Sequence, residues 1–515
     1  MRMNVYDTII ENPRLPVSLA LSEDEITVCA TPTGAASDAV TLPPIYPEWL
    51  GDRAFSGTHG SRFNYVVGEM ARGITTPRMV VAAVRAGCVG FYGSAGLPID
   101  EIERGLRLIK SELPAGQTAW GANLIHTPQQ PGYEADVVDL FVQEGVKRVS
   151  ASAYMRLSPE IVRYTALGLS RDQNGDIVRA HHVFAKVSRA EVAEQFMAPA
   201  PDALLKDLVA SGAISAEQAE LASQVPVAAE ITAEADSGGH TDRRAAAPLF
   251  SSICAARDRV AARTGIDSNT IRIGVAGGIA TPQAVTAAFS MGAAYVLTGS
   301  INQAAVESGL SLAGRQLLAK AGPADVAMAP AADMFEQGVE VQVLKRGTLF
   351  AMRGKKLFHL YRSGAAFETL DPKDQAWVED VIGEPFAAAW KATRDYISKV
   401  NPREAERAEL DGNKRFALVA RRYLFNGAQL ARDGDTARVA DYQIWCGPAQ
   451  GAFNEWVEGT FLEKIENRTV CQIAWNLMEG AARLTRAAQL RAVGVAVPPT
   501  AFSYAPQKFS ETEAA

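Results

Sequence analysis

Residues 234–242, which read EADSGGHTD, combine the residue types of a ligand site. They end the apolar run VPVAAEITA with a carboxylate, two adjacent glycines and one of the 6 histidines of the chain. Adjacent glycines weaken regular structure, but they permit positive φ angles and let the backbone approach a bulky group. A histidine at such a place can position a substrate or move a proton near neutral pH. We therefore predict that Glu234, Gly238, Gly239 and His240 lie at the rim of a site.

Two later apolar runs end in small residues that suit an anion. They close with AGGI at 276–279 and with TGS at 298–300, and one helix-like stretch separates them. In a (β/α)8 barrel, the loops after the seventh and eighth strands often bind phosphate through glycine amides and a helix N-terminus. A tight βα turn also needs glycine, so either turn alone is weak evidence. Together they predict a phosphate-bearing cofactor bound by Gly277, Gly278, Gly299 and Ser300.

Other runs carry polar or flexible residues at their ends. The run at 119–126 ends ANLIH, which places Asn123 near the rim, and the run FAKVS contains Lys186. Burying a lysine in an apolar run is unfavourable unless an acceptor pairs with its ammonium group. Either an anionic cofactor pairs with Lys186, or its ammonium group reaches solvent beyond the strand end. The run ending VGEM offers Gly68 and Met70, which suit a flat ring but are equally ordinary in a core.

The elements that must position these residues alternate regularly. Helix-like stretches, several opening with Thr-Pro or Ser-Pro, separate apolar runs. Alternation of this kind indicates a parallel sheet, and eight rounds favour an α/β fold of the (β/α)8 TIM barrel type over an open doubly wound sheet. The runs are residues 63–70, 88–94, 119–126, 148–153, 183–188, 227–234, 271–278 and 293–300.

Changes in composition and hydrophobic pattern also divide the chain into three parts. Residues 1–60 are rich in proline and small polar residues and predict a small, weakly structured N-terminal portion. Residues 61–302 hold the barrel, with an oversized helical connection at 188–224 that either packs on the barrel or serves as a cap over the site or a contact for a partner. Residues 303–515 predict a mainly helical C-terminal region packed against the barrel.

Composition excludes several classes of function. The net charge is −7 and no run of like charge occurs, which argues against nucleic acid or an anionic membrane as the main partner. The 5 cysteines are scattered without CxxC spacing, so we predict free thiols and no metal site. The start has no signal-peptide core and no stretch is apolar enough to span a bilayer, so we expect a cytoplasmic protein.

Three segments carry a resemblance to a known family. They are EADSGGHTD, GVAGGIATPQAVTAAFSMGAAYVLTGSINQ and DYQIWCGPAQGAFNEWV, supported by AADMFEQGVEVQVLKRGTLFAMRGKKLFHLY. Together they resemble the PfaD-like trans-acting enoyl reductases of polyunsaturated fatty acid synthases and trans-acyltransferase polyketide synthases. The Gly-Gly-His segment alone specifies only the wider superfamily, which includes nitronate monooxygenases and flavin-dependent enoyl reductases.

The resemblance implies an FMN at the barrel mouth and NADPH or NADH as reductant. It implies that the isoalloxazine lies near Gly68, Met70, Asn123 and Lys186, with Lys186 beside the electron-rich side of the reduced ring. His240 matches the family histidine at the substrate site, and it is the candidate catalytic residue for orienting the thioester oxygen or supplying a proton. The implied substrate is a 2-enoyl thioester on an acyl carrier protein met in trans.

Two alternatives remain open at this point. A nitronate monooxygenase would use the same flavin with a small nitronate, although the long C-terminal region counts against it. A scaffold that has lost catalysis would bind synthase components, although Lys186, His240 and both glycine turns count against that. The aromatic segment DYQIWCGPAQGAFNEWV fits a buried anchor or an interface, so a homo-oligomer is possible.

Overall fold

The centre of the molecule is a closed barrel of parallel strands. The computed structural model describes residues 9–21, 26–29, 39–128, 130 and 132–510. Each barrel strand pairs with the next one along the chain, and the eighth closes the barrel on the first, with Val296 opposite Tyr65 and Thr298 opposite Val67. The predicted barrel is confirmed, and closure excludes the open sheet. In chain order the barrel strands are Tyr65–Val67, Val89–Tyr92, Trp120–Ile125, Arg148–Ser152, His182–Val187, Glu230–Glu234, Arg272–Ala276 and Val296–Thr298.

Helices cover the outside of the barrel, and their starts follow from the sequence. Thr76, Ser158 and Thr281 each accept a backbone N–H through the side-chain oxygen, and each precedes a proline at the first helical position. The barrel helices are Pro77–Arg85, Ile99–Glu112, Tyr133–Gln143, Pro159–Leu167, Ala190–Met197, Ala246–Thr264 and Pro282–Ser290.

The interior of the barrel is filled and is not a channel. Phe91, Phe184 and Tyr295 are fully buried there, with ring centroids 4.9 Å apart for the first pair and 5.8 Å for the second. The helix Arg53–His59 closes the end where the strands begin, and Phe55 stacks on Tyr295 at 4.5 Å. The open end is therefore the one where the strands finish, as in barrel enzymes.

The connection at 188–224 is packed on the barrel. Its helices after Ala190–Met197 are Asp202–Ala210 and Ala216–Ala222, and Leu205 and Leu208 are buried in the same apolar core as the barrel helices. Before it, a small hairpin pairs Leu169–Arg171 with Ile177–Arg179. The packed interpretation of this connection matches the observed burial.

The N-terminal portion contains a small antiparallel sheet that its composition does not indicate. In the part of the chain that the structure describes, Val17–Leu21 lies between Ile26–Cys29 and Ala39–Leu42; residues 30–38 lie outside it. The long helix Val470–Ala492 holds this sheet, because its buried Arg486 donates hydrogen bonds to the carbonyl oxygens of Pro13, Leu15 and Pro43 at 3.2, 3.2 and 2.6 Å.

The C-terminal region is mainly helical, and it includes two strands that the sequence does not predict. Val326–Pro330 and Glu340–Leu344 form a sheet with Gly239–His240 of the barrel mouth. Much of the region builds an apolar core of its own around Phe350, Phe416 and Leu424. Its helices are Leu312–Ala319, Phe350–Arg362, Pro372–Ile382, Phe386–Val400, Pro402–Leu410, Gly412–Asp433, Ala449–Val457 and Val470–Ala492. Shorter 3-10 turns lie at Pro47–Trp49, Ser268–Thr270, Ser300–Ala304, Phe367–Thr369, Thr436–Asp441, Phe461–Glu463, Ile465–Asn467 and Pro499–Phe502.

Candidate active site

The residues singled out from the sequence lie at the ends of the barrel strands. Asn123, Lys186 and Glu234 lie at or near the final residue of the third, fifth and sixth strands, and the two glycine turns follow the seventh and eighth. Because the carboxyl ends of parallel barrel strands meet at one face, these residues share one rim.

Lys186 is held between two carboxylates. Its Nζ lies 3.0 Å from Oε1 of Glu69 and 3.2 Å from Oε1 of Glu234, and its side chain is 11% exposed. Burial alone would lower the pKa of Lys186, but Glu234 and Glu69 raise it by more than burial lowers it, so the ammonium group stays charged. Lys186 is therefore satisfied by protein carboxylates, and its head does not reach solvent beyond the strand end.

Glu69 leaves one polar atom unused. Its Oε2 is buried and accepts no hydrogen bond from any described residue. A buried acceptor without a donor is unfavourable, so this oxygen fits a site where a ligand supplies the donor. The sequence places Glu69 beside Gly68, but only the structure pairs it with Lys186.

Asn123 fixes the strand ends on its side of the rim. Its Nδ2 donates to the backbone carbonyl oxygen of Ser150 at 3.0 Å and to Oγ of Ser152 at 2.7 Å. The backbone carbonyl oxygen of Asn123 accepts from Oγ of Ser94 at 2.8 Å, and the side-chain Oδ1 is not part of these contacts. Since both amide hydrogens are used, Asn123 can offer a ligand only an acceptor. Nearby, Nδ1 of His126 contacts Glu134 at 3.0 Å, so this rim histidine is paired.

The two glycine turns differ in what a side chain would meet. Gly277 has φ +81°, and a Cβ there would lie 2.6 Å from the carbonyl group of Ala235. Gly278, with φ +76°, and Gly299 face open space, since no described atom lies within 4 Å of the Cβ position of either. Gly277 thus serves chain packing, whereas Gly278 and Gly299 leave room where backbone amides can meet an anion.

Ser300 begins a short 3-10 turn, Ser300–Ala304, directly after Gly299. Its Oγ accepts a hydrogen bond from the backbone N–H of Gly447 at 3.3 Å, so the hydroxyl group keeps its hydrogen to donate. An anion in the open space beside Gly299 would find that donor.

Gly68 and Met70 are placed by packing. A Cβ on Gly68 would lie 2.5 Å from Cδ2 of Leu297, so the first strand needs glycine there whether or not a ligand binds. Met70 is partly buried against the apolar core, and its backbone N–H donates to Oγ1 of Thr75 at 2.8 Å. Both lie just after the end of the first barrel strand, next to Glu69 in the chain.

The Gly-Gly-His segment is held by the C-terminal region. Gly239 lies opposite Gln342 and His240 opposite Val341 in the small sheet. A Cβ on Gly238 would lie 2.7 Å from the backbone nitrogen of Cys446, so glycine is required where the two segments cross. The backbone direction that presents His240 is thus set from outside the barrel.

His240 has a carboxylate partner that the sequence does not predict. Nε2 of His240 lies 3.3 Å from Oδ1 of Asp333, and the two side chains are 40% and 53% exposed. Burial alone would lower the pKa of His240, but Asp333 raises it above its ordinary value. His240 is therefore an exposed, readily protonated group at the mouth, whereas Lys186 is enclosed.

A second polar cluster lies at the opposite end of the barrel. The ligand atoms of His59, His182 and Glu230 lie within 4.8 Å of one another, which is metal-like spacing. However, Nε of Arg148 donates to Nδ1 of His59 at 2.9 Å, and Arg272 pairs with Glu230. Two positive charges beside the cluster disfavour a bound cation, whereas Nδ1 of His182 and Oε2 of Glu230 have no hydrogen-bond partner among the described residues.

The donor set at the rim fits a phosphate-bearing flavin. Open glycine turns can receive a phosphate, and Glu69, whose Oε1 contacts Lys186, has a second buried oxygen that accepts no hydrogen bond from the described residues. The residues that would hold FMN are thus present at one rim. Among the described residues, no helix is long and apolar enough to cross a membrane.

The chain is similar to components of fatty acid and polyketide synthases. The chain is 42% identical over 464 residues to a component of the polyunsaturated fatty acid synthase of Thraustochytrium sp., covering 89% of this chain and 31% of that protein. It is 40% identical over 434 residues to polyketide biosynthesis protein PksE of Bacillus subtilis, covering 84% and 56%. The chain thus spans about a third to just over half of the length of these two relatives.

The chain covers almost the full length of one solved domain structure. It is the enoyl reductase domain of MlnA, from the macrolactin biosynthesis cluster of Bacillus amyloliquefaciens. The identity is 35% and the TM-score 0.81, over 86% of this chain and 99% of that domain. Separately, residues 365–442 match the family model of the inserted helical domain of [acyl-carrier-protein] S-malonyltransferase.

Proposed function

The chain belongs to the PfaD-like family of enoyl reductases of polyketide and polyunsaturated fatty acid synthases, and we propose that it reduces the 2,3 double bond of an enoyl thioester. The proposed substrate is carried by an acyl carrier protein that is presented in trans. FMN is the proposed cofactor, and NADPH or NADH the proposed reductant. The observation that carries the proposal is the 35% identity over 99% of a solved enoyl reductase domain.

The rim residues support the cofactor assignment. Gly277, Gly278, Gly299 and Ser300 would hold the phosphate of FMN, and the residues beside the ring would be Gly68, Met70, Asn123, Lys186, Glu234, Gly238 and Gly239. Bound FMN would supply the two-electron chemistry that links the nicotinamide to the β-carbon of the thioester. Lys186 keeps a positive charge next to that site and contacts the carboxylates of Glu69 and Glu234.

His240 is the proposed catalytic residue. Asp333 contacts Nε2, which leaves Nδ1 of the imidazolium to donate to the carbonyl oxygen of the thioester. An enoyl thioester accepts electrons at its β-carbon only while that carbonyl is polarised, so a donor there lowers the barrier. Asp333 would act as a positioning residue, because it orients the ring and favours its protonated form.

Turnover with two substrate classes tests the proposal. Crotonyl thioesters and alkyl nitronates would be offered separately, with NADPH oxidation and product formation measured in each case. We expect NADPH-dependent conversion of the crotonyl thioester to the butyryl thioester. Turnover of nitronates without reduction of the thioester would contradict the proposal and favour a monooxygenase.

A further inference from the structure

A large cavity adjoins the His240–Asp333 pair. Its volume is about 810 Å³, and it lies between the barrel mouth and the helical C-terminal region. Pro128, in the loop after the third barrel strand, lines one side, and Asp333 lines it next to His240. The helix Pro402–Leu410 supplies much of the remaining wall. One cavity is therefore lined both by the helical region and by the carboxylate partner of the proposed catalytic histidine.

The four carboxylates that line this cavity already have partners. Glu336 and Glu404 share Lys414, whose Nζ lies 2.6 Å from each, and Arg421 lies 3.4 and 3.2 Å from the same two groups. Asp333 pairs with His240, as described above. The fourth, Asp411, accepts backbone N–H bonds at the start of the helix Gly412–Asp433. Three of the four carboxylates are thus paired with cationic groups or His240, and Asp411 is held by backbone hydrogen bonds.

Two basic side chains in the same lining are not neutralised. Arg403 and Arg407 are exposed, line the cavity, and form no ion pair with any residue in the part of the chain that the structure describes. They stand four positions apart on one helix, so they lie on the same face and repel each other. An anion that bridged the two guanidinium groups would remove this repulsion.

The same helix face presents an apolar side chain. Leu410 follows Arg407 by three positions and is 93% exposed, while Ala405 and Ala408 on the opposite face are buried. Two arginines and a leucine at this spacing form one stripe along the helix. The stripe offers an anion site beside an apolar contact at the entrance to the cavity.

We propose that this cavity receives the 4′-phosphopantetheine arm of a carrier protein, with Arg403 and Arg407 binding the phosphodiester of the arm. The inference rests on the proposed function, because it assumes a carrier-bound thioester as substrate. The arm is a flexible linear chain with one phosphate at the carrier end and the thioester at the other. Guanidinium groups pair with phosphate in bidentate geometry, and the cavity that these arginines line is also lined by Asp333, the partner of His240.

The outer surface of the 188–224 connection offers no comparable site. Its exposed residues include Asp202, Asp207, Glu217 and Glu220, with Lys206 between them. A mainly acidic surface repels a phosphate, whereas the helix Pro402–Leu410 presents Arg403 and Arg407 beside Glu406, and its other two glutamates, Glu404 and Glu409, are paired with cations.

The test compares substrates that differ only in the phosphate. Crotonyl-pantetheine and crotonyl-4′-phosphopantetheine would be assayed with the wild-type protein and with the double variant Arg403→Glu/Arg407→Glu. We expect the double variant to raise KM for the phosphorylated thioester about tenfold or more and to leave KM for crotonyl-pantetheine unchanged. Reduction of bound FMN by NADPH should also be unchanged.

Two further variants serve as controls. Lys206→Glu/Lys320→Glu reverses two exposed charges that do not line the cavity, and it should behave as wild type. Arg403→Gln/Arg407→Gln removes the charges without reversing them, and it should raise the same KM by a smaller factor. An equal rise in KM for both thioesters, or no rise for the phosphorylated one, would overturn the proposal.

A binding measurement separates this inference from the proposed function. If the wild-type protein reduces neither thioester, the enoyl reductase assignment fails. The cavity is then judged by affinity for a carrier protein with and without its arm, measured by calorimetry. Tighter binding of the carrier that has its arm, lost in Arg403→Glu/Arg407→Glu, would support the arm site, and equal affinities would refute it.

Discussion

His240 combines exposure with a charge partner at the barrel mouth. Its side chain is 40% exposed, and Asp333 raises its pKa although burial alone would lower it. Near neutral pH the ring is therefore protonated more often than an ordinary histidine. A donor of this kind is useful only where negative charge develops during the reaction.

Replacing His240 should affect one half-reaction selectively. In His240→Ala the donor to the thioester oxygen is lost, so reduction of the crotonyl thioester should slow about 100-fold. The step in which NADPH reduces the enzyme needs no such donor and should change little. Stopped-flow absorbance separates the two steps, and equal slowing of both would count against this role.

The pH dependence of thioester reduction should reflect the pKa of His240 in contact with Asp333. Activity that needs protonated His240 is present at low pH and falls as pH rises through the raised pKa. In Asp333→Asn that pKa drops, so the falling limb of the pH–rate profile should move to lower pH. Measured limbs that coincide in the two proteins would mean that another group limits the rate.

Lys186 should matter for stability as well as for the cofactor. In Lys186→Met, the carboxylates of Glu69 and Glu234 lose their shared cation, and a buried charge without a partner costs about 3 kcal/mol. Urea unfolding measures this loss. The triple variant Glu69→Gln/Lys186→Met/Glu234→Gln should recover most of it, and a single variant as stable as wild type would show that the contacts contribute little.

The site residues could be predicted from sequence more readily than their partners. Lys186 and Glu234 follow from their places at the ends of apolar runs. The contact of Lys186 with Glu69 joins residues 117 positions apart, and strand order decides it. Asp333 lies within a segment that carries the family resemblance, but its charge and spacing give no signal that it faces His240. Such long-range pairs need coordinates.

At the scale of elements, the two βα turns should separate packing from binding. Gly299 faces open space at φ −123°, so a methyl group there disturbs no described neighbour but occupies the room left for an anion. In Gly299→Ala we expect FMN affinity to fall about tenfold or more, with little change in the stability of the protein without FMN.

A matched substitution completes that test. Gly57 also faces open space, but it lies in the helix at the closed end of the barrel. Gly57→Ala should therefore leave FMN affinity unchanged in a fluorescence titration. If Gly299→Ala bound FMN as tightly as wild type, the phosphate would have to bind elsewhere.

The barrel could be predicted from sequence, whereas the small sheet could not. Each of the eight apolar runs overlaps a barrel strand, because buried parallel strands read as apolar runs between capped helices. The strand Gly239–His240 has only two residues, and alternation cannot be detected over that length. The strands Val326–Pro330 and Glu340–Leu344 lie between helical patterns and are recognised only by their pairing.

At the scale of the whole molecule, the barrel mouth is shared with the C-terminal region. Residues 441–449, DYQIWCGPA, cross between two parts of the rim. The backbone N–H of Cys446 donates to the carbonyl oxygen of Gln342 at 3.3 Å, next to the His240 strand, and that of Gly447 donates to Ser300. Tyr442, Ile444 and Cys446 are buried, so the segment acts as an anchor in this chain.

The same segment explains why the mouth depends on residues far from the barrel sequence. Gly238 fits against Cys446, and Gln303 donates a hydrogen bond to the carbonyl oxygen of Trp445. The proposed catalytic histidine and the proposed phosphate turn are thus joined through one loop of the C-terminal region. The proposed cofactor site and the proposed catalytic histidine therefore depend on the same loop.

The visible absorbance spectrum of the purified protein is the measurement that decides most. It should be recorded as isolated or after addition of FMN, then after anaerobic NADPH, and then after a crotonyl thioester. We predict flavin bands that bleach with NADPH and return with the thioester. A colourless protein that takes up no FMN, or flavin bands that the thioester fails to restore, would contradict the assignment as a flavin-dependent enoyl reductase.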